Sequence, residues 1–241
     1  MTETPDITLY TAATPNGWKI SIALEELGVS YRVCNVELFK GEQKLPAFLS
    51  LNPNGRIPVI IDHTRGDLVL FESGAILWYL AEKYGALIPE DVACRAQCHQ
   101  WLMFQMSGVG PMMGQLNVFR HYFPVKLPEA IERYHTETER LFGVLNDVLK
   151  SREFLVDEHS VADIAVWSWV YTHRWSGISL EQFPALMAWK RRLRARPAYQ
   201  RGVAVPMPIG RVLDADGKVP DAYVKAAGTL VETKNNKDST A

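Results

Sequence analysis

The stretch LNPNGRIPVIIDHTRGDLVLFESGAILWYLAEKYG, residues 51–85, constrains the fold more than any other part of this chain. It reads as turn, strand, turn, strand, helix. Asn52-Pro53-Asn54-Gly55 is a turn, since proline presets φ and Asn and Gly tolerate left-handed backbone. Val59-Ile60-Ile61 and Leu68-Val69-Leu70-Phe71 are short apolar runs separated by polar residues 62–67, which predicts an antiparallel hairpin. Ser73 stands where it can cap a helix whose Ile76, Leu77, Leu80 and Tyr84 share one face. Gly85 takes the place of a left-handed cap.

Two joints of this unit suit a ligand. Pro58 opens a strand inside an apolar run, where it has no N–H to give a ladder. One explanation is a cis Ile57–Pro58 bond that turns the Ile57 backbone outward; the other is an ordinary edge-strand proline. The second joint is Glu72-Ser73. Free backbone N–H groups and the positive dipole end of the helix attract a carboxylate there, and Glu72 can accept from an ammonium. The plainer alternative is that Ser73 is only a cap. A ligand with a peptide-like middle and an α-amino acid at one end fits both joints, and glutathione is such a ligand. NPNGRIPVI followed by FESGAILWYLAEKYG resembles the glutathione-binding half of cytosolic glutathione transferases.

The surrounding sequence agrees with a two-part organisation. Ile7-Thr8-Leu9-Tyr10 alternates as a strand, and a helix follows with Ile20, Ala23, Leu24 and Leu27 on one face and Gly28 at its end. Residues 31–38 alternate as a second strand, and a short helix is expected at 46–49. The order β-α-β-α-β-β-α is thioredoxin-like, and it ends near Gly85. Beyond a linker at 86–90 the strand signals stop. Helices are expected over 94–113 (loosened near Gly108, Gly110 and Pro111), 129–149, from the capping-box-like Ser160-Val161-Ala162-Asp163 through Trp169, and 186–196. The expected fold class is an α/β thioredoxin-like N-terminal domain, residues 1–86, followed by an all-α C-terminal domain, residues 92–205. Residues 206–241 read as a loose tail rich in Gly, Lys, Asp and Asn.

Composition narrows the partners. A formal charge of -1 gives no reason to expect nucleic acid or a membrane surface. No apolar run approaches the roughly 18–20 residues of a membrane span, and MTETPDITLY has no signal-peptide core. The three cysteines form no disulfide framework, which suggests a reducing cytoplasm. Metal binding is not expected: the six histidines are scattered, and Cys94 and Cys98 have no second ligand pair.

TPNG, KGEQ, NGRIP, FESGAI, SGVGPMMGQ and IERYHTETERL, in that order, resemble the Nu class of glutathione transferases, which have disulfide-bond reductase activity. SVADIAVWSW matches the family's helix-capping motif. The resemblance spans about residues 5–205. It implies that Asn16 and Thr14 hydrogen-bond the glutathione thiolate, polar donors acting without titrating. It further implies that Gln43 binds the glycyl end and that Ile57, beside Pro58, pairs backbone-to-backbone with the cysteinyl part. Glu72 and Ser73 would hold the γ-glutamyl end, and Arg133 would reach in from the neighbouring subunit of a dimer. Each has a bland alternative: Asn16 as a cap, Gln43 solvated, Arg133 an ordinary surface arginine. Tyr10 competes with Asn16, because other transferase classes use a tyrosine near the end of this strand; a packing role is its equal alternative. Trp18 departs from the smaller polar residue common in bacterial members, and an indole there would narrow the electrophile pocket. Met112, Gln115, Phe119 and Trp175 are candidates to line that pocket, though such residues are more often core.

The expectation is therefore a dimeric enzyme in which bound glutathione attacks a small disulfide and a second glutathione resolves the product. Conjugation to an electrophile, ether cleavage or peroxide reduction is the alternative, and a non-catalytic glutathione-binding regulator is a third. No Cys-x-x-Cys is present, so Cys34, Cys94 and Cys98 are expected to be dispensable, with Cys34 buried in its strand.

Overall fold

The computed structural model describes residues 5–208, so nearly all of the segment read as a tail lies outside the described residues. β1 (Ile7–Thr11) leads into α1 (Pro15–Leu27), and β2 (Tyr31–Asn35) returns parallel to β1. Between them Gly28, with φ 65°, supplies the left-handed cap that stops α1. Two 3-10 turns, residues 38–40 and 42–44, and the short α2 (Pro46–Leu49) cross the sheet. β3 (Val59–Asp62) then runs antiparallel to β1, and β4 (Leu68–Phe71) pairs with β3 as the expected hairpin. The sheet order is β2-β1-β3-β4.

Strand alternation sorts the two faces. Ile7, Leu9 and Ile60 are buried with Ile20, Ala23 and Leu24 of α1 and with Ile76, Leu77 and Leu80 of α3 (Ser73–Tyr84). On the other face Val36, Phe48 and Val59 form a smaller core. Asp62 ties the hairpin to α3 by accepting from Tyr79 at 2.6 Å and Lys83 at 2.5 Å. β2 differs from the alternating strand expected over 31–38. It is an edge strand with β1 as its neighbour, and Arg32, Val33 and Asn35 are exposed. Cys34 is accordingly half-buried there, not buried.

The helical part opens with α4 (Val92–Phe104), capped by Asp91, which accepts from the Cys94 N–H at 2.9 Å. A π-helical turn (Gln105–Val109), α5 (Gly110–Asn117) and a second π turn (Val118–Tyr122) continue it. The helix expected over 94–113 is thus longer, and its loosening is a widened turn instead of a break. The Gly110 N–H reaches back to the Gln105 carbonyl, just before Pro111, which has no N–H to continue the ladder. α6 (Pro128–Leu149) and α7 (Val161–Val170) follow. Asp163 closes the capping box of α7 by accepting from the Ser160 N–H and also takes the Trp189 indole N–H. α8 (Pro184–Arg194) starts two positions before the expected 186, since Pro184 is pre-shaped for a first turn. For the same reason Pro197, read only as a stop, begins a further helix, α9 (Pro197–Gly202).

α1 is enclosed. It packs against α3, α7 and α9, and every residue from 17 to 24 is buried. α9 approaches closely: Ser21 Oγ donates to the Gly202 carbonyl at 2.7 Å, and a Cβ on Gly202 would sit 2.7 Å from the Ile22 nitrogen. Arg196 grips Glu26 with two bonds of 2.6 and 2.8 Å. Among the described residues no helix is long and apolar enough to cross a membrane.

Candidate active site

The register aligns Tyr10, Val59 and Phe71 across three strands. The end of β1, the start of β3 and the end of β4 therefore lie at one edge of the sheet. Thr14 and Asn16 follow β1, Ile57 and Pro58 precede β3, and Glu72 and Ser73 follow β4, so these six residues share that edge. Thr14 caps α1, its Oγ1 accepting from the Gly17 N–H at 3.2 Å, which leaves the hydroxyl proton available. Gly17 is required by crowding: a Cβ there would come 2.3 Å from the Ala12 carbonyl oxygen.

Asn16 is half-buried, and its Oδ1 accepts from the Trp169 Nε1–H at 3.1 Å. An indole N–H only donates, so the amide atom facing it is the oxygen, and both amide hydrogens point away from Trp169. The glycines of SGVGPMMGQ make room for that indole: Cβ atoms on Gly110 and Gly114 would lie 3.4 and 3.5 Å from it. Trp18 does not line a pocket mouth. It is 2% exposed and meets Tyr171 edge-on, centroids 6.1 Å apart, within the core.

At the other joint the Ile57–Pro58 bond is cis. Glu72 is exposed and has φ 72° and ψ 112°, a region costly for a residue with a side chain by about 1–3 kcal/mol and often found at ligand sites. α3 begins without a side-chain cap, leaving its first N–H groups for an anion. Ser73 is buried, 4% exposed, and its Oγ accepts from Lys19 Nζ at 3.1 Å. The same ammonium donates to Gln105 Oε1 at 2.6 Å and lies 3.4 Å from Met106 Sδ. Burial brings Lys19 down to about 7, against the opposite pull of the Glu72 carboxylate.

Sequence reading missed Lys19, Gln105, Met106 and the role of Trp169. A signal for Lys19 exists in WKISIAL, where apolar residues flank the lysine at spacings that cover every side of a helix. Gln43 is buried, not solvated, and its Oε1 makes no hydrogen bond among the described residues. Arg133 is not brought to the others: its side chain is 67% exposed on α6 and meets Glu137 at 3.9 Å. Tyr10 packs edge-on against Phe48, centroids 6.3 Å apart, on the face away from α1. Phe119 stacks on Tyr134, and Trp175 meets His121 and Tyr122, while Met112 is half-buried and Gln115 exposed. A hollow of about 650 Å³, lined by Arg174, Lys190 and Arg191 among others, contains none of the sequence-named residues. Among the described residues no group of three or more His, Cys, Asp or Glu could hold a metal.

A thioredoxin-like layer with an uncapped helix start beside a cis-proline, completed by a helical domain, is the architecture of a glutathione transferase. The chain belongs to the glutathione S-transferase family: the N-terminal-domain model matches residues 5–82 and the C-terminal-domain model residues 112–197. It is 48% identical over 197 residues to the disulfide-bond oxidoreductase YfcG of Escherichia coli, covering 80% of this chain and 92% of that protein. A glutathione transferase homolog from Lodderomyces elongisporus, with two GSH per subunit, superposes with TM-score 0.81 at 42% identity. It covers 85% of this chain and 100% of that one. A glutathione transferase from Pseudomonas putida, with one glutathione disulfide per subunit, gives TM-score 0.79 at 41% identity, covering 86% and 94%.

Proposed function

We propose that this protein is a glutathione-dependent disulfide-bond reductase whose nucleophile is the thiolate of bound glutathione. The observation that carries the reading is the Asn16 amide, turned by Trp169 so that its N–H groups are available beside α1, at the same sheet edge as Ser73. A neutral amide donor favours a thiolate without itself changing charge. In this reading Asn16 and Thr14 hold the sulfur and Gln43 the glycyl end. Ile57, preceding Pro58, pairs with the cysteinyl backbone, and Glu72 and Ser73 hold the γ-glutamyl end. Arg133 comes from the neighbouring subunit.

The reaction balances in two exchanges. Bound GS⁻ attacks the substrate disulfide, forming a mixed disulfide and releasing one substrate thiolate. A second GS⁻ attacks the glutathione sulfur of that mixed disulfide, forming glutathione disulfide and releasing the second thiolate. The protons lost by the two glutathione thiols end on the two product thiols. The YfcG name, the two GSH of the Lodderomyces structure and the glutathione disulfide of the Pseudomonas structure support this sequence of steps. Two of the chain's own thiols are poorly suited to attack. Cys94 donates to Asp157 at 3.3 Å and is pushed up to about 11 by that bond, and burial raises Cys98.

A homodimer is part of the proposal, supported by Leu68, Val69 and Phe71, exposed on the edge strand β4. The functional units are residues 1–86 for glutathione and 92–205 for the second substrate, and three free cysteines suit a reducing cytoplasm. The test is an assay with a small disulfide, coupled to glutathione disulfide detection, beside one with an electrophilic aromatic. Disulfide turnover consuming two glutathiones per disulfide is expected. Faster conjugation of the aromatic, or binding with no turnover, overturns the reading.

A further inference from the structure

Lys19 is the one ionisable side chain among residues 17–24, the buried run of α1. It is 1% exposed, and its three partners, Ser73 Oγ, Gln105 Oε1 and Met106 Sδ, are all neutral. A buried ammonium without a bonded anion is costly. Glu72, at the head of α3, is the acid whose charge reaches it. The other elements packed on α1 bring no free anion to it. The single acid of α7, Asp163, takes hydrogen bonds from Ser160, Leu155 and Trp189. Arg196 and Arg201, flanking and within α9, are paired with Glu26 and Glu25 farther along α1. At the far end of α3, Lys83 is paired with Asp62, and Glu82 lies beside it in sequence.

The contact with Ser73 has a direction. An ammonium has no lone pair, so Ser73 Oγ accepts from it; its own O–H, turned toward Met106 Sδ at 3.8 Å, makes only that weak sulfur contact and is the proton left to give a better acceptor. A neutral amine has a lone pair, which can take the Ser73 proton and leave only oxygen lone pairs facing a ligand, the wrong sign for a carboxylate. We propose that Lys19 is a positioning residue for glutathione, its ammonium fixing the Ser73 hydroxyl as a donor to the γ-glutamyl carboxylate, so that binding is coupled to proton uptake by the enzyme. This rests on the reading of Ser73 as the γ-glutamyl anchor. The π turn at Gln105–Val109 is the device that delivers Gln105 and Met106 to the lysine, and π turns recur at functional sites for such reasons.

The sign follows from linkage. The ligand carboxylate favours the charged lysine, so Lys19 holds its proton to higher pH in the complex than in the free enzyme. Between those two values each binding event takes up part of a proton. Affinity is highest below the free-enzyme value of about 7 and declines as pH rises through the value in the complex. Each unit by which the ligand raises that value is tenfold in affinity.

Calorimetric titration with S-methylglutathione, whose blocked thiol has no proton to lose, tests this in buffers of different ionisation enthalpy. At about pH 7.5 the wild type should take up roughly half a proton per site. Lys19→Met should take up none, bind about tenfold more weakly at about pH 6.5, and lose the pH dependence of affinity between about 6.5 and 8.5. In turnover it should raise KM for glutathione and keep kcat within about threefold. Wild-type binding without proton uptake, or wild-type and Lys19→Met affinities that run parallel with pH, overturns the role of Lys19 and leaves the anchor intact. Undiminished affinity in Ser73→Ala overturns the anchor reading and this proposal with it. The wild-type proton count needs no variant, so it decides the matter even if Lys19→Met fails to fold.

Discussion

The two ends of the proposed glutathione site are built alike and tuned differently. Each lies at a helix start in the sheet layer, α1 for Asn16 and α3 for Ser73, and each has its polarity set by a contact that reaches the helical domain, directly at Asn16 and through a lysine of α1 at Ser73. At Asn16 the setter is the Trp169 indole, neutral at every working pH. At Ser73 it is Lys19, braced by Gln105, and that group titrates near neutrality. At the end proposed for the reacting sulfur the protein groups do not titrate, so pH acts there through the thiol of glutathione alone, whereas the end proposed for the anchor carries a titrating group of the protein's own. Rate and affinity fall to separate devices.

The largest effect that would sharpen this contrast is on Asn16. Asn16→Ala should lower kcat roughly hundredfold, the scale of losing one preorganised donor to a developing anion, with S-methylglutathione affinity within about threefold. Tyr10→Phe should stay within about twofold of wild type in the same assay. Loss of activity in Tyr10→Phe but not in Asn16→Ala would break the comparison and point to a tyrosine-type transferase. Next come Glu72→Gln and Ser73→Ala. Each removes a charge-assisted hydrogen bond worth about 1.5–3 kcal/mol, so calorimetric Kd should rise tenfold or more while kcat at saturation holds. Unchanged affinity in both would move the ligand elsewhere. Trp169→Phe keeps the ring and deletes the donor that turns the Asn16 amide. About 1 kcal/mol, or a fall of about fivefold in kcat without change in the affinity–pH curve, is expected. A shifted affinity–pH curve in Trp169→Phe would mean that the two ends are not separate.

The smallest effect concerns the cysteines. Cys34→Ser, Cys94→Ala and Cys98→Ala combined should leave glutathione-dependent disulfide reduction within about threefold, since the attacking sulfur belongs to the ligand. A folded triple variant that binds glutathione but has lost this activity would end the proposal. The wild type given a monothiol that cannot fill the γ-glutamyl site should show no turnover.

Most of the fold was legible because its punctuation is local. Gly28 and Gly85 end their helices in left-handed conformations, and the polar residues 62–67 between two apolar runs give a hairpin. The elements missed or misplaced had signals with two meanings. Pro197 can stop one helix or start another, and here it starts α9; the alternation of β2 says nothing of whether a helix covers it. The residues that gather at the sheet edge were readable as candidates because they sit in short contiguous blocks. Lys19, Gln105 and Trp169 were not, because their importance lies in contacts 54, 86 and 153 residues apart in sequence. A lysine in a helix reads as solvated until its neighbours are known to be buried on every side. The same is true of Gln43, buried where the turn around Gly55 comes close: a Cβ on Gly55 would meet the Gln43 carbonyl oxygen at 2.9 Å.

The seating of α9 on α1 has a consequence for how the molecule is made. Ile22 is pressed by Gly202, and Glu26 is gripped by Arg196, so the back of the helix that carries Asn16 and Lys19 is walled by residues synthesised about 180 positions later. A nascent chain can pair its strands early, but α1 keeps an unburied flank until α9 has left the ribosome. A copy that stops short of residues 197–202 thus lacks the wall behind Asn16 and Lys19, and the helix carrying both has nothing on that side to hold it in place.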